Sequence, residues 1–169
     1  MINKILFVMR GINSIMKNEI FRIYVEKKKE LDVEGDEILK DIKLTLGINS
    51  IENIRIINRY DIEGITKEEL DKSKNIIFSE PVVDYIYDEE LPVGIGEKVF
   101  GVEYLPGQYD QRADSAIQCV QILTESNGVN IKTAKVYILK GNITKEEFSK
   151  IKSYCINAVD FIFENSSLV

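Results

Sequence analysis

Residues 66–70 read TKEEL and residues 144–148 read TKEEF, and this recurrence decides the fold. Each stretch is a capping box: the threonine hydroxyl and the glutamate three positions on satisfy amide groups left open at a helix start. Outward from the boxes, other letters return at a nearly constant spacing. Tyr60 recurs as Tyr137 and Gly64 as Gly141, both displaced by 77 positions (137 − 60, 141 − 64). Val25-Glu26 recurs as Val102-Glu103 at the same offset (102 − 25 = 77), and Thr66 as Thr144 at 78 (144 − 66). VDYIY at 83–87 returns as VDFIF at 159–163. Anchors that agree to within one residue of a common period imply a tandem duplication.

The elements follow the same order twice. Alternating Phe21, Ile23 and Val25 predict a strand over 20–27. Ile38, Leu39, Ile42 and Leu46 keep helical spacing over 33–46, and Gly47 sits where a left-handed cap costs least. A strand over 54–62, a helix from Thr66 to about residue 78 and a strand over 82–87 complete the first unit, with Pro81 stopping the helix. The second unit repeats this with strands over 99–104, 132–139 and 159–163. Its first helix spans 111–124, is capped by Asp110, and buries Ala113, Ala116, Ile117, Val120 and Leu123. Its second helix opens at Thr144.

The fold class is therefore α+β, a β-α-β-α-β unit used twice to form a pseudo-dimer. The expected layout is residues 1–18 as an extension, 19–90 as the first half, 91–96 as a connection, 97–163 as the second half and 164–169 as a tail. Right-handed crossovers put both helices of each half on one sheet face. The opposite faces then need cover, and the two halves are expected to face each other about a pseudo-two-fold axis.

Composition narrows the chemistry. With 44% apolar and 30% charged residues, the 169-residue chain has the makeup of a globular domain that can bury a core without metals or disulfides. A formal charge of −6 repels phosphate backbones, so nucleic acid is not an expected partner. The absence of histidine excludes Ser-His-Asp and Cys-His nucleophilic mechanisms and histidine-bearing metal sites. The apolar run at residues 5–9 is interrupted by Arg10, and no stretch reaches the roughly 20 apolar residues of a membrane span, so a membrane is not expected. Cys119 and Cys155 are expected as core or near-core thiols in a reducing, cytoplasmic setting. Lys27, Lys28 and Lys29 read as a solvated strand end.

The densest run of unusual residues is EYLPGQYDQRADS at 103–115, which spans a strand end, a Pro-Gly turn and a helix start. One reading is a capped helix entrance with Asp110 as cap and Arg112 paired to Asp114 or Glu103. The other is a docking or ligand surface made by Gln108, Asp110, Gln111, Arg112 and Asp114. The first half has only ELDVEG at the equivalent place, so the fold alone does not require these residues. No Walker loop, dinucleotide glycine fingerprint or metal-ligand spacing stands in the sequence, and no catalytic residue, cofactor or metal is expected.

The stretches RIYVEKKK, NIRIINRYDIEG, IFSEPVVD, VEYLPGQYDQRADSAIQCVQILT and KTAKVYILKG resemble the N-terminal domain of phosphoribosylformylglycinamidine synthase in its long, single-chain clostridial-type form. The likeness runs from about Glu19 to Asn157. In that family this domain looks like two fused copies of the small PurS-type subunit. The resemblance implies a scaffold for the synthetase and glutaminase domains of a purine-biosynthesis ligase that uses glutamine, ATP and magnesium. Those domains and their cofactors are not expected in this chain, so it is not expected to turn over substrate alone. The likeness ends where the family continues into a linker, so a truncated gene, a frameshift or an expressed fragment is the expectation from the resemblance. A small-molecule-binding regulatory domain is the alternative, since paired α+β halves can hold an effector at their interface.

Overall fold

The computed structural model describes residues 19–156 and 160–164. The expected extension at 1–18, residues 157–159 and the end of the expected tail lie outside them. The strands are β1 (Phe21–Lys27), β2 (Ile51–Glu63), β3 (Asp84–Asp88), β4 (Lys98–Tyr104), β5 (Asn130–Gly141) and β6 (Asp160–Glu164). The helices are α1 (Val33–Thr45), α2 (Lys67–Ser73), α3 (Gln111–Thr124) and α4 (Lys145–Cys155). A π-helical turn, Lys74–Phe78, continues α2, so the helical stretch ends where Pro81 led one to expect.

All six strands form one antiparallel sheet in the order β3-β1-β2-β5-β4-β6. This corrects the face-to-face expectation: the two halves meet edge to edge, through β2 and β5. These are the two longest strands, and an unpaired edge on either would leave a row of amides and carbonyls without partners. In the central ladder Ile56 pairs with Tyr137 and Tyr60 with Thr133. The offset of 77 (137 − 60) carries Ile56 onto Thr133 and Tyr60 onto Tyr137, so it exchanges the two pairs. Asn58 and Lys135, themselves 77 apart (135 − 58), face each other at the centre.

Alternation along the strands sorts the side chains into two faces. Ile23, Val25, Tyr60 and Ile62 pack with Leu70 and Phe78 of the α2 stretch and with Ala113, Ala116 and Val120 of α3. Ile54, Ile56, Phe100, Tyr137 and Leu139 pack with Ile42 of α1 and Ile151 of α4. Each cluster thus joins a helix of one half to a helix of the other. The intervening residues Tyr24, Ile57, Val99, Val136 and Ile138 point the other way and cluster with Leu91, with no helical residue among them. The four helices therefore share one face, as expected, although α1 and α3 join antiparallel neighbours, to which the handedness of parallel crossovers does not apply.

Both capping boxes form. Thr66 Oγ1 accepts from the Glu69 amide and Thr144 Oγ1 from the Glu147 amide, while each glutamate reaches back to its threonine amide. Asp110 caps α3 as expected, and Asp32 supplies the cap of α1 that the sequence pattern had not marked. Cys119 departs from expectation: it is exposed, and Leu123 is 38% exposed. The buried stripe of α3 is the narrow series Ala113, Ala116 and Val120, and position 119 falls off it by nearly a right angle. Cys155 is near-core, and burial pushes its thiol pKa up to about 11.

Candidate functional site

The corner between β4 and α3 is open. Arg22 of β1, Asp61 and Arg59 of β2 and Glu103 of β4 form one ion-pair chain that passes over β5. Register puts Arg22 opposite Asp61, so Arg22 Nε and Nη2 donate to the two Asp61 oxygens at 2.6 and 3.0 Å. This fork-to-fork contact holds the Arg22 guanidinium above its ordinary pKa. Arg59 Nη2 lies 3.1 Å from both Asp61 Oδ2 and Glu103 Oε2. Arg59 and Glu103 both pair in register with Ala134 of β5, one from each side. A methyl group between them is small enough for the two long side chains to meet over it.

Above this chain, Tyr104 to Tyr109 are all exposed and turn the backbone through Pro106 and Gly107, with Gly107 at φ +88° and the Gln108 amide bonded to the Leu105 carbonyl at 3.0 Å. Between loop and sheet lies a cleft of about 770 Å³, lined by the four ion-paired residues, the 104–108 loop, Asp110 and the start of β5 from Ile131 to Thr133.

The expected docking residues divide. Gln108 and Asp110 line the cleft. Asp110 is structural as well: Oδ1 accepts from the Ala113 amide at 2.9 Å and Oδ2 from the Thr133 hydroxyl at 2.7 Å. Arg112 and Gln111 are exposed outside it, on the first turn of α3. Asp114 accepts from the Tyr109 hydroxyl at 3.0 Å and from Gln118 Nε2 at 2.9 Å. The expected pairing of Arg112 with Asp114 or Glu103 is not what forms: Glu103 is held by Arg59, and Arg112 lies by the buried Tyr60 ring, where it opposes the rise in the Tyr60 pKa that burial causes.

Arg22, Arg59, Asp61 and Lys132 escaped the sequence reading. Alternation puts Arg59 and Asp61 on one face, but only the strand pairing, which local sequence does not encode, brings Arg22 and Glu103 to them.

The equivalent corner of the first half is smaller. There Arg55 Nε and Nη2 donate to Glu26 at 2.6 and 2.7 Å, and Tyr87 adds its hydroxyl at 3.1 Å. The space left measures about 280 Å³. The basic run beside it is tied down, with Lys27 paired to Asp84 at 2.7 Å and Lys28 Nζ donating to the carbonyls of Pro81 and Val82.

Fold and site thus define an α+β domain with one antiparallel sheet, helices on one face, and a polar cleft at one of two comparable corners. Comparison of the chain with protein-family models and with curated proteins gives no match. Among the described residues no helix is long and apolar enough to cross a membrane, and no group of three His, Cys, Asp or Glu side chains could hold a metal ion.

Proposed function

We propose that this chain is a PurS-like scaffold domain of a cytoplasmic phosphoribosylformylglycinamidine synthase, docking against the synthetase and glutaminase domains of the parent enzyme. The observation that carries this is the 104–109 loop. It lies within the longest family-like run of the sequence, and it spends Tyr104, Leu105 and Tyr109 on the surface at 45, 36 and 70% exposure. The fold does not call for this, because the first half turns the same corner with a short 3-10 turn, Lys29–Leu31. Tyrosine-rich exposed loops on rigid sheets are common anchors of protein interfaces. The tandem duplication is supported by the exchange of pairs across the central ladder and by the matching capping boxes.

The test is complementation in trans. The purified chain is added to a synthase lacking its N-terminal domain, and glutamine-dependent ADP release is followed. Restored turnover, lost again with Tyr109→Ala, is the expected result. A folded chain that restores nothing, and that does not bind the truncated synthase, counts against the scaffold role.

The second reading, a regulatory small-molecule domain, is favoured by the cleft, whose volume lies within the range of ligand pockets. A rise in melting temperature with a bound metabolite would support it.

A further inference from the structure

We infer that the β4–α3 cleft takes an organic oxyanion, a phosphate or carboxylate carried on an apolar or ring-bearing body. The inference rests on the small-molecule reading of the cleft and is independent of the scaffold role. Its first support is the state of the acidic wall groups. Both oxygens of Asp61 accept from arginine, both oxygens of Asp110 accept from within the fold, and Glu103 Oε2 accepts from Arg59. A cationic ligand at Asp61 or Asp110 would compete with these bonds, which leaves Glu103 Oε1 as the wall acceptor open to it. An anion breaks none.

The second support is Lys132. It lines the cleft from β5 opposite Asp61 in register, whose two oxygens are held by arginine, and among the described residues it makes no ion pair of its own. Asp110 already caps α3, so the helix end is not the holding group.

The third support is shape. The cleft of about 770 Å³ is far larger than an inorganic ion needs, and Tyr104, Leu105 and Pro106 give it apolar lining beside the charged groups. A bare phosphate would leave that lining uncovered, whereas a ring or short chain attached to the anion would cover it. The first-half corner is smaller, about 280 Å³, because its arginine and carboxylate bond each other and a tyrosine hydroxyl fills in beside them.

The experiment is a titration of the isotope-labelled full chain, followed by amide chemical shifts, with four probes: phenyl phosphate, benzoate, inorganic phosphate and benzylammonium. Saturable shifts confined to 104–110 and 131–133 are expected with phenyl phosphate, benzoate or both, and which of the two binds more tightly identifies the anion. Binding at least about tenfold tighter than inorganic phosphate is expected from the added apolar contact. Lys132→Gln, an exposed substitution, should weaken the better organic anion about tenfold while leaving the melting temperature unchanged. Benzylammonium binding as tightly as the anions would overturn the oxyanion inference and leave the small-molecule reading standing. Absence of saturable shifts with every probe would overturn both. Affinity unchanged in Lys132→Gln would also overturn the inference, since the cation that selects the ligand would then play no part.

Discussion

Glu69 and Ser126 bind the two halves of the chain through one carboxylate. Glu69 Oε2 accepts the Thr66 amide at 2.6 Å and closes the cap of α2, while Glu69 Oε1 accepts the Ser126 hydroxyl at 2.5 Å. Ser126 follows the end of α3 and is 5% exposed. Glu147, at the matching place in the second box, caps its own helix from a half-exposed position, and the buried Ser50 hydroxyl near it makes no hydrogen bond.

The two boxes should therefore respond alike to loss of the threonine and differently to loss of the glutamate. Thr66→Ala and Thr144→Ala are each expected to cost about 1 kcal/mol, the usual worth of an N-cap. Glu69→Ala is expected to cost more than Glu147→Ala, because it also leaves a buried hydroxyl without its acceptor. Urea denaturation of the four variants measures both comparisons. Equal losses for the two glutamates would show that the Ser126 contact contributes nothing.

The cap of α1 gives a pH-dependent prediction. Burial raises the Asp32 pKa above the ordinary aspartate value, and Glu34, Asp36 and Glu26 push it the same way against the bond from the Gly35 amide. An acid whose folded pKa lies above its unfolded one favours folding at low pH and loses that contribution as pH rises through the folded value. Above that range Asp32 is charged at a penalty. Asparagine caps a helix as well and carries no charge, so Asp32→Asn should stabilise the protein at pH 7. The gain should vanish below about pH 4, where the aspartate is protonated too. Stability curves of both proteins at pH 7 and pH 3.5 decide it, and a gain that is equal at both would refute the charge argument.

Thiol chemistry should separate the two cysteines. Cys119 is exposed, and Cys155 is held back both by burial and by a thiol pKa raised to about 11. Only the thiolate reacts, so a disulfide reagent at pH 8 should modify Cys119 rapidly and Cys155 slowly in the folded chain. Cys119→Ser should remove the fast phase alone. Two equal phases would contradict the assignment of α3's buried stripe.

The reach of the sequence can be judged from these residues. Capping boxes, Asp110 and the strand and helix order are local patterns, written within a few positions, and they appear where the letters place them. The joining of β2 to β5 is not local. Each half alone would present an edge and a face to its partner, and only the pairing of long backbone edges selects the edge. The cleft was half legible for the same reason. Its loop stands out by composition, whereas Arg22, Asp61, Arg59 and Glu103 belong to different strands and meet only through register. Cys119 was misread because a helix of 14 residues with scattered apolar positions allows more than one stripe, and the small Ala113 and Ala116 define the true one.

Ala134 offers a test of that register. It sits between Arg59 and Glu103 in the sheet and is 5% exposed. The position 77 earlier is Ile57 (134 − 77), which is packed in the apolar cluster of the same face. Ala134→Ile should force Arg59 and Glu103 apart and cost about 2 kcal/mol, as overpacking does. The same change in a chain already carrying Glu103→Gln should cost less, since the pair is then already weakened. A double-mutant cycle with no coupling would refute the three-residue row.

Gly64 and Gly141 provide the sharpest test of the two-fold arrangement. They are 77 apart (141 − 64) and have φ of +84° and +143°. A Cβ on Gly64 would come within 2.3 Å of the Gly128 carbonyl oxygen, and one on Gly141 within 2.2 Å of the Ser50 carbonyl oxygen. Each glycine thus abuts the backbone just ahead of the opposite long strand. Neither obstacle is a side chain that can swing aside, so alanine meets both a backbone collision and an unfavourable φ. Strain of this kind costs about 1–3 kcal/mol before the collision is counted. Gly64→Ala and Gly141→Ala should each destabilise by at least about 2 kcal/mol, whereas Gly47→Ala, with open space around its Cβ, should lose only the φ contribution. If Gly64→Ala and Gly141→Ala cost no more than Gly47→Ala in thermal denaturation, the close approach of the two halves at these points is wrong.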